Sequence, residues 1–74
     1  MKSTAQLQVG EKVRLLDFGN TTSGYRRNLL ALGLTLGTEV MVKRVAPLGC
    51  PIEIEVLGAA IALRKNEAEY LLWE

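Results

Sequence analysis

The run Arg44-Val45-Ala46-Pro47-Leu48-Gly49-Cys50-Pro51-Ile52-Glu53-Ile54-Glu55-Val56 decides the fold. Its two prolines punctuate a turn between two of the most strand-like runs in the chain. Pro47 fixes its own φ and drives Ala46 towards an extended backbone, and Pro51 does the same to Cys50. Pro47 at the second position and Gly49 at the fourth suit a type I turn over Ala46 to Gly49. After the turn, Ile52, Ile54 and Val56 alternate with Glu53, Glu55 and Leu57, the period of a strand with one buried face. Before it, Val40 and Val42 alternate with Glu39, Met41 and Lys43. Val45 has the opposite parity, which predicts a bulge at Lys43-Arg44. The product is a bent hairpin whose loop carries Leu48 and Cys50 outward.

Upstream, Leu7-Gln8-Val9-Gly10-Glu11-Lys12-Val13 and Leu34-Thr35-Leu36-Gly37-Thr38-Glu39-Val40 share the form Leu-x-apolar-Gly-x-x-Val. Each predicts a turn with a positive-φ glycine ahead of a strand. The first such strand is Lys12 to Phe18, with Val13 and Leu15 on one face. Between the two turns lies the helix candidate, Gly24 to Leu32, capped by Thr22 or Ser23 and closed by Gly33. Tyr25, Leu29 and Leu32 form its stripe. The segment is shorter than the ~12–15 residues that hold helicity alone in water, so it must dock. Leu30 falls off the stripe beside Arg26 and Arg27, which predicts partial exposure. Residues 1–6 read as a loose lead-in.

Downstream, Leu57-Gly58-Ala59 is a short turn and Ala60 to Arg64 a strand with Ile61 and Leu63 inward. Lys65 to Glu69 has room for one helical turn. Tyr70-Leu71-Leu72-Trp73-Glu74 closes the chain as a strand, Leu71 and Trp73 on one face and Tyr70 and Leu72 on the other. A strand apolar on both faces invites cover from the helix or from another molecule. The fold expected is mainly β: a small SH3-like barrel of about five strands, with one short helix inserted after the first strand.

At 74 residues the chain makes one domain with a single small core. Hydrophobic residues make up 49%, enough for a globular protein, while aromatics at 5% leave the core to aliphatic side chains. Nine Lys and Arg oppose eight Asp and Glu, so the basic surplus that marks a nucleic-acid binder is missing. The longest apolar run, Ala59 to Leu63, is far short of the ~20 residues of a membrane span. The start of the chain has no secretory pattern, and the single cysteine forms no internal disulfide. A soluble cytoplasmic protein is expected, with any membrane role reached through a partner.

Catalytic chemistry has little to stand on. Histidine is absent, removing the commonest general base and metal ligand. Glu53 and Glu55 share a strand face, and two carboxylates without further ligands make a weak cation site. Gly33-Leu34-Thr35-Leu36-Gly37 lacks the Lys-Ser/Thr pair of a phosphate loop. Serines and threonines have no base. Cys50 could take a soft metal or a second thiol, but no His or further Cys completes a tetrahedral site, and a small loop residue is the preferred reading. Arg26, Arg27, Arg64 and Lys65 are diluted by Glu11, Glu39, Glu67 and Glu69, as on a solvated surface. The chain reads as a non-enzyme with no cofactor and no metal site.

One combination of residues is more specific than any of its parts: Tyr25-Arg26-Arg27-Asn28-Leu29-Leu30-Ala31-Leu32-Gly33-Leu34, Leu36-Gly37, Arg44 to Ile52, Ala62-Leu63-Arg64-Lys65 and Glu67-Ala68. Over roughly residues 7 to 74 it closely resembles the FeoA family of small cytoplasmic proteins of bacterial ferrous iron uptake. The resemblance implies an SH3-like fold and an accessory role: binding and modulating FeoB, the membrane ferrous iron transporter, through its cytoplasmic GTP-binding region. The same module forms the C-terminal domain of iron-dependent repressors, so fold alone does not fix function. Two positions depart from the family pattern. Cys50 stands where Asp is usual, and Leu36 stands where proline commonly precedes Gly37.

The expected partner-binding surface joins the exposed part of the helix (Tyr25, Arg26, Leu29, Leu30) to the hairpin loop (Leu48, Cys50). Its basis is an apolar excess on a helix too short to be core on two sides, beside a loop tip with an outward leucine. Rival readings are a regulatory module of the iron-dependent repressor type, which would need a DNA-reading segment this chain lacks, and a Cys50-dependent metal or redox carrier. Self-association through Tyr70 and Leu72 is compatible with all three.

Overall fold

The proline-punctuated hairpin forms where its sequence places it. In the computed structural model, which describes residues 1–74, β-strands Glu39–Val45 and Ile52–Val56 pair antiparallel. The register slips between Val42 and Arg44, the bulge that the parity change at Val45 predicts. In chain order the strands are β1 (Lys2–Ser3), β2 (Lys12–Asp17), β3 (Glu39–Val45), β4 (Ile52–Val56), β5 (Ala59–Leu63) and β6 (Leu72–Trp73). Helix α1 (Ser23–Ala31) follows β2, and the four-residue α2 (Lys65–Ala68) precedes β6. They form one six-stranded antiparallel sheet, ordered β1-β6-β2-β3-β4-β5.

The sixth strand is the difference from the expected five. Residues 1–6 are structured: Lys2 and Ser3 pair with Trp73 and Leu72, and Thr4–Gln6 make a 3-10 turn. Two side chains hold this segment. Lys2 is hydrogen-bonded to Glu11, and that bond, ahead of the Gln8 N–H donated at 2.7 Å, holds the Glu11 carboxyl below its usual range. Thr4 is buried, donates its hydroxyl to the Ala68 carbonyl at 2.7 Å, and accepts the Trp73 indole N–H at 3.0 Å. Neither pairing leaves a mark in hydrophobic periodicity, so the lead-in looked loose.

The two Leu-x-apolar-Gly segments take the same shape. Glu11 N–H bonds Gln8 C=O and Thr38 N–H bonds Thr35 C=O, at 3.1 Å each, and Gly10 and Gly37 have φ of 89° and 83°. Those are type II turns, with the positive φ at the third position. They also clasp each other's strands. Gly10 donates to Val42 and Val42 to Glu11, while Gly37 donates to Leu15 and Leu15 to Thr38.

Helix α1 begins at an N-cap, Thr22, whose hydroxyl accepts the Tyr25 N–H. It ends in a Schellman motif: Leu34 N–H bonds Leu29 C=O, Gly33 N–H bonds Leu30 C=O, and Gly33 has φ 96°. Leu29 and Leu34, the apolar pair that accompanies this motif, are both in the core. That core is a single cluster around Trp73, Leu15, Ile54, Leu63 and Leu71, so aliphatic side chains do fill it.

Candidate partner-binding surface

The β3–β4 loop is held tightly from within. Gly49 N–H bonds Ala46 C=O at 2.7 Å, closing the β-turn, and Ala46 N–H bonds Pro51 C=O at 3.1 Å. At its tip Leu48 is 95% exposed. A leucine fixed on a closed, proline-framed turn is presented to solvent without loss of order, which is what a contact residue needs.

Cys50 is not turned outward with it. The residue is half-buried, and its Sγ accepts the Lys65 N–H at 3.3 Å. Arg64, the N-cap of α2, offers no side-chain cap, so the thiol receives one of the helix's orphan N–H groups. This gives the loop position a structural role. An aspartate there would serve α2 as a stronger acceptor and add favourable charge at a helix N-terminus. No three His, Cys, Asp or Glu side chains come together to hold a metal.

The helix residues divide. Leu29 is 1% exposed and belongs to the core, because the stripe of so short a helix has room for little else; it is no contact residue. Tyr25 packs against the core, and its buried hydroxyl has no hydrogen-bond partner. Burial, and after it the Glu67 carboxylate, pushes the phenol up. Arg26 is exposed and lies over the Phe18 ring, 5.0 Å from its centroid. Leu30 is 42% exposed, off the stripe as expected. Leu32 is exposed too, although the spacing put it on the buried stripe; its backbone is still αR and its N–H bonds Asn28 C=O, so it keeps its helical position, at the end of α1 where the core no longer covers the stripe.

Sequence reasoning missed Leu57. It is 87% exposed at φ 51°, and a Cβ on Gly33 would stand 3.5 Å from its Cδ1. Leu57 therefore reaches towards the end of α1 that carries Leu30 and Leu32. The available signal was a leucine in the first position of a two-residue hairpin loop, where Asn, Asp or Gly is usual.

Leu48 precedes β4 and Leu57 follows it, and a five-residue strand spans roughly 17 Å. The structure thus offers two apolar sites rather than one joined surface: the Leu48 tip, and the Leu30, Leu32 and Leu57 corner. Near the loop, Ser3, Ala5, Ile52, Leu63, Lys65 and Glu69 line a groove of about 200 Å³. Tyr70 is exposed, but β6 lies between β1 and β2, so its backbone has no open side for another strand. No helix is long and apolar enough to cross a membrane.

A family model for the FeoA domain matches residues 4–74. Among solved structures, a FeoA protein from Chlorobium tepidum superposes with a TM-score of 0.88 at 33% identity, over 99% of this chain and 69% of that one. FeoA of Stenotrophomonas maltophilia, a prokaryotic SH3 domain protein solved with zinc, gives 0.81 at 22% identity over 100% and 91%. A manganese-dependent transcriptional repressor gives 0.83 at 14% identity, over 97% of this chain and 39% of its own, which is a likeness of fold.

Proposed function

The chain belongs to the FeoA family, and from that premise we propose that it is a cytoplasmic accessory protein of bacterial ferrous iron uptake. It binds and modulates a FeoB-type transporter through that transporter's cytoplasmic GTP-binding region, and catalyses nothing itself. Support comes from two sides. The family match spans residues 4–74, and the Stenotrophomonas relative is put forward as a ferrous iron transport activating factor. The observation that carries the binding role is Leu48, an almost fully exposed leucine on a loop closed by its own hydrogen bonds. Burying such a side chain at an interface is worth about 1.5–3 kcal/mol, and the fold makes no use of it.

Calorimetric titration against the detergent-solubilised transporter, with and without a GTP analogue, tests the reading. Saturable binding is expected, weakened at least ~10-fold by Leu48→Glu, which corresponds to about 1.4 kcal/mol. Leu30→Glu tests the second apolar site in the same way, and unchanged thermal unfolding shows that both variants keep the fold. Two results overturn the proposal, in whole or in part. One is no binding in either nucleotide state at ~100 μM, where Kd corresponds to about −5.5 kcal/mol. The other, undiminished binding by both variants, overturns the part that assigns the contact to Leu48 and Leu30.

A further inference from the structure

Strand β5 ends the sheet, with β4 on one side and no strand on the other. Its register runs Val56↔Ala59, Ile54↔Ile61 and Ile52↔Leu63 around the two-residue Leu57-Gly58 turn. In such a hairpin the pair flanking the turn is hydrogen-bonded and the pattern then alternates. Ala59, Ile61 and Leu63 therefore direct N–H and C=O to β4, and Ala60 and Ala62 direct theirs away from the sheet. None of these four outward groups takes part in a turn, loop or cap hydrogen bond, and both alanines are exposed. Natural edges are guarded by lysine, proline, a bulge or brevity. The opposite edge, β1, is two residues long and carries Lys2. Ala59-Ala60-Ile61-Ala62-Leu63 has none of these guards.

We propose that β5 pairs with β5 of a second copy of this chain, antiparallel about a two-fold axis through Ile61. In that register the edge is complementary to itself. Ala60 of one copy faces Ala62 of the other, twice, making four backbone hydrogen bonds, and small uncharged side chains meet without clash or repulsion. The same register runs the two strands past one another, so the C-terminal end of each lies beside the β4–β5 turn of the other. It also keeps Arg64 and Lys65 of the two copies apart. This symmetry favours a second copy over a foreign strand. Two five-residue strands bury less than the ~1,200 Å² of a standard interface, so the dimer is weak.

Sedimentation equilibrium and amide spectra across a concentration series test it. The mass is expected to rise from 8.1 kDa towards twice that value, with Kd between ~0.1 and ~1 mM. The Ala60 and Ala62 amides should shift and gain protection with concentration, while those of Ala59 and Leu63 stay constant. Ala60→Lys/Ala62→Lys opposes like charges and should abolish the dimer. Ala60→Lys/Ala62→Glu opposes unlike charges in this register alone and should restore it, both variants melting as the parent does. A parent protein monomeric at ~2 mM overturns the proposal. So do concentration-dependent shifts confined to Tyr70 and Leu72, or a Lys/Lys variant that dimerises like the parent. A Lys/Glu variant that stays monomeric overturns the register.

Discussion

Thr4 is the buried polar residue of this molecule, and its hydroxyl both gives and receives. Thr4→Val keeps the shape but leaves the Trp73 indole N–H without a partner and the Ala68 carbonyl with the Leu71 N–H alone, so a loss of about 1–3 kcal/mol is expected. Thr4→Ser should recover most of it in denaturant unfolding, and equal stability of the Val and Ser variants would refute the role. Tyr25 presents the opposite case, a buried hydroxyl that bonds nothing. Tyr25→Phe should stabilise by about 1 kcal/mol, since an unpaired buried donor is removed. The pH dependence has a definite sign. Burial raises the folded-state pKa above the unfolded one. The associated stability is complete below the unfolded value of about 10 and is lost as pH rises through the folded value. Stability of the parent measured at rising alkaline pH should therefore fall by a component that the Phe variant lacks.

At the scale of elements, the β4–β5 hairpin carries a local contradiction. Leu57 and Gly58 both have positive φ, the type I′ turn, and leucine in that region costs about 1–2 kcal/mol. Leu57→Asn supplies the residue the turn prefers and should raise stability by about 1 kcal/mol in thermal or denaturant unfolding, the side chain being almost wholly in solvent. An unchanged or lowered midpoint would mean that contact with the end of α1 outweighs the backbone strain. Helix α1 itself buries only Leu29 completely. Its start and stop were legible because capping has residue signatures, Thr22 before it and Gly33 after it. Which leucines it would expose was less legible. Leu32 fits the 3.6-residue period and keeps a helical hydrogen bond to Asn28, yet lies outside, since period gives a residue's face and not how far along the helix the core reaches.

For the molecule as a whole, the sequence made plain what depends on alternation and on turn chemistry: the hairpin, its bulge, the paired turns, and the burial of Leu71 and Trp73. It could not reveal what depends on a single long-range partner. The Lys2–Glu11 and Thr4–Trp73 pairs order the first residues, yet each joins positions whose nearness only the finished sheet creates. Exposure at the proposed contact surface was half legible for the same reason. Leu48 and Leu30 could be picked out as exposed, while their separation by the length of β4 is a fact of topology. The reciprocal turns have a consequence in time. Gly10 with Val42 and Gly37 with Leu15 come together across a segment that includes all of α1, so one loop closure forms both clasps. Such a non-local step sets the rate at which a small β protein folds. A Cβ on Gly10 or Gly37 would meet nothing within 4 Å, so alanine at either position adds backbone strain without a clash. Stopped-flow chevrons of Gly10→Ala and Gly37→Ala should therefore show slower refolding at nearly unchanged unfolding rates, with the two turns closing as a single event.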